Sequence, residues 1–253
     1  VPLAWAAVSA FKSDREIFTS PWGLPETWRF ENFARAWSQA SIGKYFLNTV
    51  IVVTGGVMLT LLLSSMVAYV LARFEFRGNR FVYYLFVGGL VFPGFLALVP
   101  LFFVVKNLGM LNTYHGLILV YATHAMSFSV FFLTAFFRTQ PSALAEAALL
   151  DGASHWGVFF RIMLPLAKPG LISVGLFNFL NMWNSYLLPI ALNGDPDKYV
   201  ISQGLASIAH SAGQASDFSG MFAGLTISML PVLIVYLIFQ RQITGGMTVG
   251  AIK

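Results

Sequence analysis

The sequence predicts an all-α integral membrane protein, and three observations carry that prediction. Of its 253 residues, 57% are hydrophobic and only 10% are charged, where a soluble chain carries about 25% charged residues. The charges are clustered, leaving uncharged apolar stretches that reach the roughly 20 residues needed to cross a bilayer. Those stretches are continuous, whereas a transmembrane β-barrel would show short alternating segments.

Each element follows in order. Val1 to Phe11 is apolar but too short to span a membrane. The chain opens on Val1-Pro2 and not on Met, so this run is expected to be the outer end of a first helix that begins before it. Full spans are expected at about Leu47–Ala72, Phe81–Val105, Leu117–Phe137, Gly170–Leu192 and Gly220–Phe239. With the opening stub they make six helices. Pro93-Gly94 and Pro100 fall inside the second span. Proline removes a donor and clashes with the preceding turn, so that span should be kinked or broken. Simple packing and a kinked helix lining a translocation path are both open readings.

Between the stub and the first full span lies a long aromatic segment. Pro21-Trp22-Gly23-Leu24-Pro25 is a rigid turn region. Phe30, Phe33, Ala34 and Trp37 then recur at helical spacing with Glu31, Arg35 and Ser38 between them. This predicts a short amphipathic helix at the membrane surface, read as an interfacial anchor in preference to a substrate contact.

The charge pattern excludes several functions. None of the five spans contains Asp, Glu, Lys or Arg, and intramembrane charge is the usual mark of an ion or proton path. An ion-coupled secondary transporter is therefore disfavoured, although backbone carbonyls can bind sodium. The chain has no cysteine, which removes disulfides and thiolate metal sites. No His cluster or carboxylate pair points to a metal carrier or a membrane enzyme. A formal charge of +5 is read as cytoplasmic-end cations and not as nucleic-acid binding. The compact cluster Arg73, Arg77 and Arg80 sits in one short loop, which puts that loop, and both termini, on the cytoplasmic side.

The segment within residues 139–168 is the informative one. Pro141 suits a first helical turn, and Ser142 to Leu150 are mostly strong helix formers. Gly152 fits a left-handed helix stop, and Ser154 can cap a second helix. On that second helix Trp156, Phe159, Phe160 and Met163 fall on one stripe. The expected product is a bent helix–turn–helix on the cytoplasmic surface. Its apolar face must be buried against lipid, the protein's own helices, or a groove on a partner.

These residues also carry a resemblance. Glu146-Ala147-Ala148, Asp151-Gly152-Ala153, Ile162 and Leu164-Pro165 resemble the EAA signature of ABC importer permeases, in which Glu-Ala-Ala is followed in register by Gly and then Ile-x-Leu-Pro. Pro21 to Trp37, the basic loop Ala72 to Gly78, Trp183-Asn184 and the tail from Gln240 to Ala251 resemble the carbohydrate-uptake branch, nearest to the second membrane subunit of maltose-type importers. The resemblance implies one six-helix type I importer transmembrane domain over residues 1–253, in a bacterial or archaeal cytoplasmic membrane. It implies a coupling helix that sits in a cleft of an ATPase. Glu146 would face a basic residue of that ATPase and Gly152 would permit the bend, with Ala147, Ala148, Asp151 and Trp156 completing the contact. The tail after Arg241 would reach between the ATPase subunits. The implied partners are a second homologous permease, two ATP-binding cassette subunits, an extracellular or lipid-anchored solute-binding protein, and the lipid bilayer. No cofactor belongs to the chain itself. Consistent with that, no phosphate-binding Gly-Lys-Ser/Thr loop occurs: Gly43-Lys44 is followed by Tyr45.

Candidate pathway residues are His124 and Ser127 on the third span and Asn178, Asn181 and Asn184 on the fourth. Asn178, Asn181 and Ser185 lie at i, i+3 and i+7. Amides and hydroxyls suit an uncharged polyol, but they also glue membrane helices together, and that packing role is the favoured reading. The substrate expected is a sugar, with another small polar solute as the alternative.

Overall fold

The computed structural model describes the backbone of residues 2–215 and 217–248, and the side chains of residues 2–210 and 217–240. The described elements are all helical. They are α1 (Pro2–Ser9), α2 (Asp14–Thr19), α3 (Glu31–Ser38), α4 (Ile42–Arg73), α5 (Asn79–Val91), a 3-10 turn (Gly94–Ala97) and α6 (Leu98–Asn107). After these come α7 (Tyr114–Thr139), α8 (Ala143–Leu150), α9 (His155–Val158), a π segment (Phe159–Met163), α10 (Leu164–Leu166) and α11 (Lys168–Trp183). The chain closes with α12 (Leu187–Leu192), a second 3-10 turn (Pro196–Lys198), α13 (Ile201–Ala215) and α14 (Phe218–Thr248).

Helices α4, α7 and α14 are each long and apolar enough to cross a membrane, and two bent pairs raise the count of spans to five. The first bent pair is the expected second span. Its halves, Asn79–Val91 and Gly94–Asn107, turn by 95°. Pro93 is the cause. A residue before proline is pushed out of the helical region, and Phe92 is extended at φ −72° and ψ 122°. Pro100 does no such damage, because it falls in the first turn of α6, where its missing N–H has no partner to lose.

The expected span Gly170–Leu192 is not one helix. α11 ends at Trp183, residues 184–186 are irregular, and α12 restarts at Leu187. Pro189 accounts for the position of the break, since its ring would strike the carbonyl of Ser185 in a continuous helix. That carbonyl accepts the Ser202 hydroxyl at 2.6 Å instead. Ser185 therefore does not continue the helical face of Asn178 and Asn181. α11 pairs at its other end with His155–Leu166, across a 73° bend. α13 lies between the last two expected spans, where Ser, Gly and Gln separate Ile201, Leu205 and Ile208 and no element is predicted.

The chain forms two compact units. Unit 1 comprises residues 1–52, 105–117 and 183–238. Its core gathers Ala10, Ala36, Ile42, Ala223 and Ile227, with Phe33, Phe46 and Phe222 packed around them. Polar ties lace its surface segments. Asn32 is buried and donates to the carbonyls of Ala10 and Lys12, both at 2.9 Å. The buried Lys12 ammonium donates to the carbonyls of Ser20 (2.8 Å) and Pro21 (3.1 Å). Arg35 pairs with Asp217 at 3.0 Å and reaches the Ser219 hydroxyl at 2.9 Å. The surface helix α3 forms as expected, with Asn32 and Ala36 facing the protein and Phe30, Ala34 and Trp37 exposed.

Unit 2 comprises residues 53–104, 118–182 and 239–253. Gly56 of α4 lets other elements of this unit close in: a Cβ there would lie 3.0 Å from the Met182 sulfur and 3.3 Å from the Tyr121 Cβ. Small residues at helix contacts are what membrane packing demands. The principal core of this unit holds Ala68, Tyr69, Leu133, Phe137, Val158, Phe159, Met163, Ala167 and Val174. The expected tail contact falls largely outside the described residues: the side chains from Arg241 onward and everything from residue 249 are not described.

Candidate coupling site and pathway residues

The segment after α7 folds as the sequence dictates. α8 ends in a Schellman arrangement: the Gly152 amide donates to the Leu149 carbonyl and the Ala153 amide to the Ala148 carbonyl, both at 3.0 Å. Gly152 has φ +84°, the left-handed conformation in which a side chain costs about 1–2 kcal/mol. Ser154 caps α9, its hydroxyl accepting from the Gly157 amide at 3.1 Å. The hairpin α8–α9 is thus bent by a glycine stop and a serine start separated by one residue.

Its underside is glued to its own unit. Val158, Phe159 and Met163 are buried, and Ala145, Ala148 and Ala153 pack against the same cluster. Tyr69 of α4 is the hub of that cluster, 5.1 Å between ring centroids from Phe159 and 5.6 Å from Phe137. Phe74 braces His155 at 5.6 Å, and Arg73 Nη2 donates to the Gln140 carbonyl just ahead of α8. The expected stripe on the second helix is divided. Phe159 and Met163 point into the core, while Trp156 and Phe160 stack on one another at 5.9 Å and 15° and remain exposed. The π segment causes this split. Pro165 cannot donate to the carbonyl of Arg161 and displaces it, the backbone widens, and the Leu164 amide reaches back to Phe159.

Among the described residues, none covers the upper face of the hairpin. Glu146, Ala147, Asp151 and Gly152 are exposed. Leu150 is 89% exposed and Trp156 62% exposed. An apolar knob rimmed by two carboxylates is costly to leave in water and is suited to a groove that carries cations.

The pathway candidates separate into kinds. Asn178 is buried, and its amide donates to the Ser129 hydroxyl of α7 at 2.9 Å. That is the interhelical packing role. Asn181 is exposed on α11, with its amide turned to its own helix at the Phe177 carbonyl, 2.9 Å away. Asn184 is exposed in the break after α11. His124 and Ser127 lie on α7 against the bent pair: a Cβ at Gly94 would come within 2.6 Å of His124 Nε2, and one at Gly89 within 2.3 Å of Ser127 Oγ. His124 is exposed within the unit, beside the break at Pro93. Interrupted backbone at membrane depth is tolerated only against protein or a water-filled cavity, and His124 of α7 is the polar side chain beside Gly94 in this break.

Sequence reasoning missed Tyr69 and Arg73, which hold the hairpin up. No local pattern marks them, because their partners Phe137, Phe159 and Gln140 lie far along the chain.

The chain is 53% identical, over its full length and 84% of the relative, to the diacetylchitobiose uptake system permease protein of Streptomyces coelicolor. It is 32% identical, over its full length and 90% of the relative, to the arabinooligosaccharides transport system permease protein of Halalkalibacterium halodurans. With the melibiose/raffinose/stachyose import permease protein of Bacillus subtilis it shares 31% identity over 93% of the chain and 85% of the relative. Among solved structures, that of a bacterial ABC transporter involved in the import of the acidic polysaccharide alginate matches with a TM-score of 0.82, covering 95% of this chain and 89% of that one. At 22% identity that likeness shows the fold alone, the type I importer transmembrane fold. Residues 60–249 match the family of binding-protein-dependent transport system inner membrane components, and the chain belongs to it as a multi-pass ABC importer permease.

Proposed function

We propose that this permease forms half of a translocation pathway for a neutral oligosaccharide and is driven by separate ATPase subunits docked on the α8–α9 hairpin. The observation that carries the coupling part is the two-sided hairpin. Its underside is buried on Tyr69 and Phe137, so force applied to it passes into α4 and α7. Its upper face offers Leu150 and Trp156 with Glu146 and Asp151 at the rim. Helix-in-groove docking needs that combination of apolar anchor and charged rim. Closing of two ATP-binding cassette subunits would push the knob and turn the pathway outward, toward a solute-binding protein. A second, homologous permease would supply the other wall.

The sugar part is supported by the uncharged spans and by the relatives named for oligosaccharides. An N-acetylated disaccharide is the first substrate to test, because the 53% identical relative is named for one. His124, Ser127 and Asn181 are the groups proposed to meet it, since their hydroxyl, amide and imidazole groups suit sugar hydroxyls.

The test is co-expression of the permease with its companion permease, ATPase and binding protein, and assay in vesicles. The expected result is ATP-dependent uptake of the disaccharide and a Leu150→Cys cross-link to the ATPase. Glu146→Lys should abolish both substrate-stimulated ATP hydrolysis and the cross-link. Uptake that continues without ATP, or a hairpin that cross-links to no ATPase, overturns the coupling reading. Uptake of a different solute class overturns only the substrate.

A further inference from the structure

The basic loop at the end of α4 encloses a cavity that the coupling reading leaves unused. Its volume is about 620 Å³, and its walls include Arg73, Phe74, Glu75, Asn79, Arg80 and Arg138. These come from the last turn of α4, the turn at residues 74–78, the first turn of α5 and the end of α7. The loop is shaped by its own bonds. Asn79 Nδ2 donates to the carbonyls of Leu71 (3.2 Å) and Phe74 (2.7 Å), and Gly78 takes φ +98° to start α5.

The charge in this cavity is predominantly positive, three arginines against one glutamate. Among the described residues, none of the ion pairs involves Arg73, Arg80 or Arg138. Arg73 uses Nη2 on the Gln140 carbonyl, and its Nε is buried without a partner. The Arg138 guanidinium lies 5.2 Å over the Tyr83 ring, an arrangement that leaves its N–H edge free for an anion. Glu75 is the single carboxylate in the lining. The first turn of α5 has no side-chain cap, which adds the positive end of a helix dipole.

Two features fix the kind of anion. The lining residues sit at the ends of α4 and α7 and at the start of the bent pair from Asn79, all long and apolar enough to cross a membrane, and lipid headgroups lie at the ends of such spans. Directly beyond Arg80, the outer face of α5 presents Phe81, Tyr84 and Leu85, all at least 60% exposed, at helical spacing. An acyl chain covers such a stripe, and guanidinium groups bind phosphate in a fork.

We propose that this cavity binds the phosphate of an anionic phospholipid, whose acyl chain runs along Phe81, Tyr84 and Leu85. The Arg80 and Arg138 guanidiniums donate to the phosphate oxygens from opposite sides of the loop. The lipid holds the α4–α5 turn and the α7 end together next to Gln140, the residue from which the coupling hairpin departs.

The experiment uses the assembled importer in vesicles of phosphatidylcholine, with or without phosphatidylglycerol, and no sugar. Hydrogen exchange of the amides between residues 74 and 82 is followed, and bound lipid is identified by native mass spectrometry. The expected result is slower exchange with phosphatidylglycerol and retention of that lipid. Arg80→Gln and Arg138→Gln should each lower retention roughly fivefold, the effect of one cation near a lipid surface, with the ATPase still attached. Equal retention by wild type and the double variant overturns the proposal. Slowing by inorganic phosphate in phosphatidylcholine vesicles, with none from phosphatidylglycerol, assigns the cavity to a free anion and also overturns it. So does slowing that requires the ATPase but not the anionic lipid, which assigns the arginines to a partner's carboxylate.

Discussion

The amide of Ala153 donates to the carbonyl of Ala148 at 3.0 Å, across the left-handed residue Gly152. Both alanines pack on the cluster beneath the hairpin. The bond therefore sets the bend and the seating of the hairpin at once, and it depends on one backbone dihedral.

That dependence separates two roles of Gly152. A Cβ added there meets no atom within 4 Å, so the cost inside the chain is conformational, about 1–2 kcal/mol for an ordinary L residue. Asn tolerates the same conformation. Gly152→Asn should leave the thermal midpoint of the purified permease nearly unchanged, and Gly152→Leu should lower it modestly. In the assembled importer, both side chains would meet the docking groove. Substrate-stimulated ATPase should fall by roughly tenfold in Gly152→Leu, equivalent to about 1.4 kcal/mol. Full stimulation with Leu would mean that nothing docks closely at Gly152.

The bond from Asn178 to Ser129 supports a second prediction. Both groups are buried, and polar links between membrane helices contribute about 0.6 kcal/mol on average. A double-mutant cycle of Asn178→Ala and Ser129→Ala, read by steric-trap or denaturant unfolding, should give a coupling energy of that order. The KM for uptake should not move. A large change in KM with no coupling energy would return Asn178 to the pathway.

How much of this was legible in the sequence differs from element to element. The hairpin was, because Gly152 and Ser154 act through local backbone rules that need no tertiary context, although Pro141 stands ahead of the Ser142 N-cap of α8 and not in its first turn. α4 and α7 were also legible, as uninterrupted apolar runs. The end of α11 at Trp183 was not: Pro189 lies six residues further on, and only its clash with the Ser185 carbonyl places the break. α13 escaped because its apolar positions are diluted by small polar residues, so its burial, not its composition, makes it helical. The buried seat of α3 was not legible for a related reason. Asn32 looks polar, but it satisfies the carbonyls of Ala10 and Lys12 in the turn after α1, and burial follows from that. Tyr69 as the hub under the hairpin could not be read from spacing alone, since its partners Phe137 and Phe159 come from distant parts of the chain.

Glu16 supplies a pH prediction. Its carboxylate accepts the Ser13 hydroxyl at 2.6 Å and the amides of Ser13 (2.8 Å) and Glu26 (2.9 Å). These bonds, the Ser13 hydroxyl first, lower its pKa from 4.5 to about 2. A depressed carboxylate stabilises above its unfolded value and loses that contribution as pH falls from about 4.5 toward 2. The group is largely solvated, so the contribution is discounted to about 1 kcal/mol. Glu16→Gln should speed hydrogen exchange in α2 at neutral pH, and the difference from wild type should shrink below pH 4.5. A difference that persists undiminished toward pH 2 would show that the charge is not what holds the turn.

The neighbours Phe159 and Phe160 test the division of the hairpin into an inner and an outer face. Phe159 is buried against Tyr69, whereas Phe160 is exposed and stacked on Trp156. Removing a buried Phe costs about 3–5 kcal/mol, and an exposed substitution stays within about 0.5 kcal/mol. Phe159→Ala should therefore lower the thermal midpoint of the isolated permease sharply. Trp156→Ala should leave that midpoint where it is and reduce the amount of ATPase that co-purifies with the permease, because a large aromatic at the centre of a docking knob is the usual anchor. The two variants thus move opposite readouts. If Trp156→Ala unfolds the permease, the ring is a structural support and the knob is smaller than proposed. If it changes neither stability nor co-purification, the ATPase grips only the α8 side, at Glu146 and Leu150.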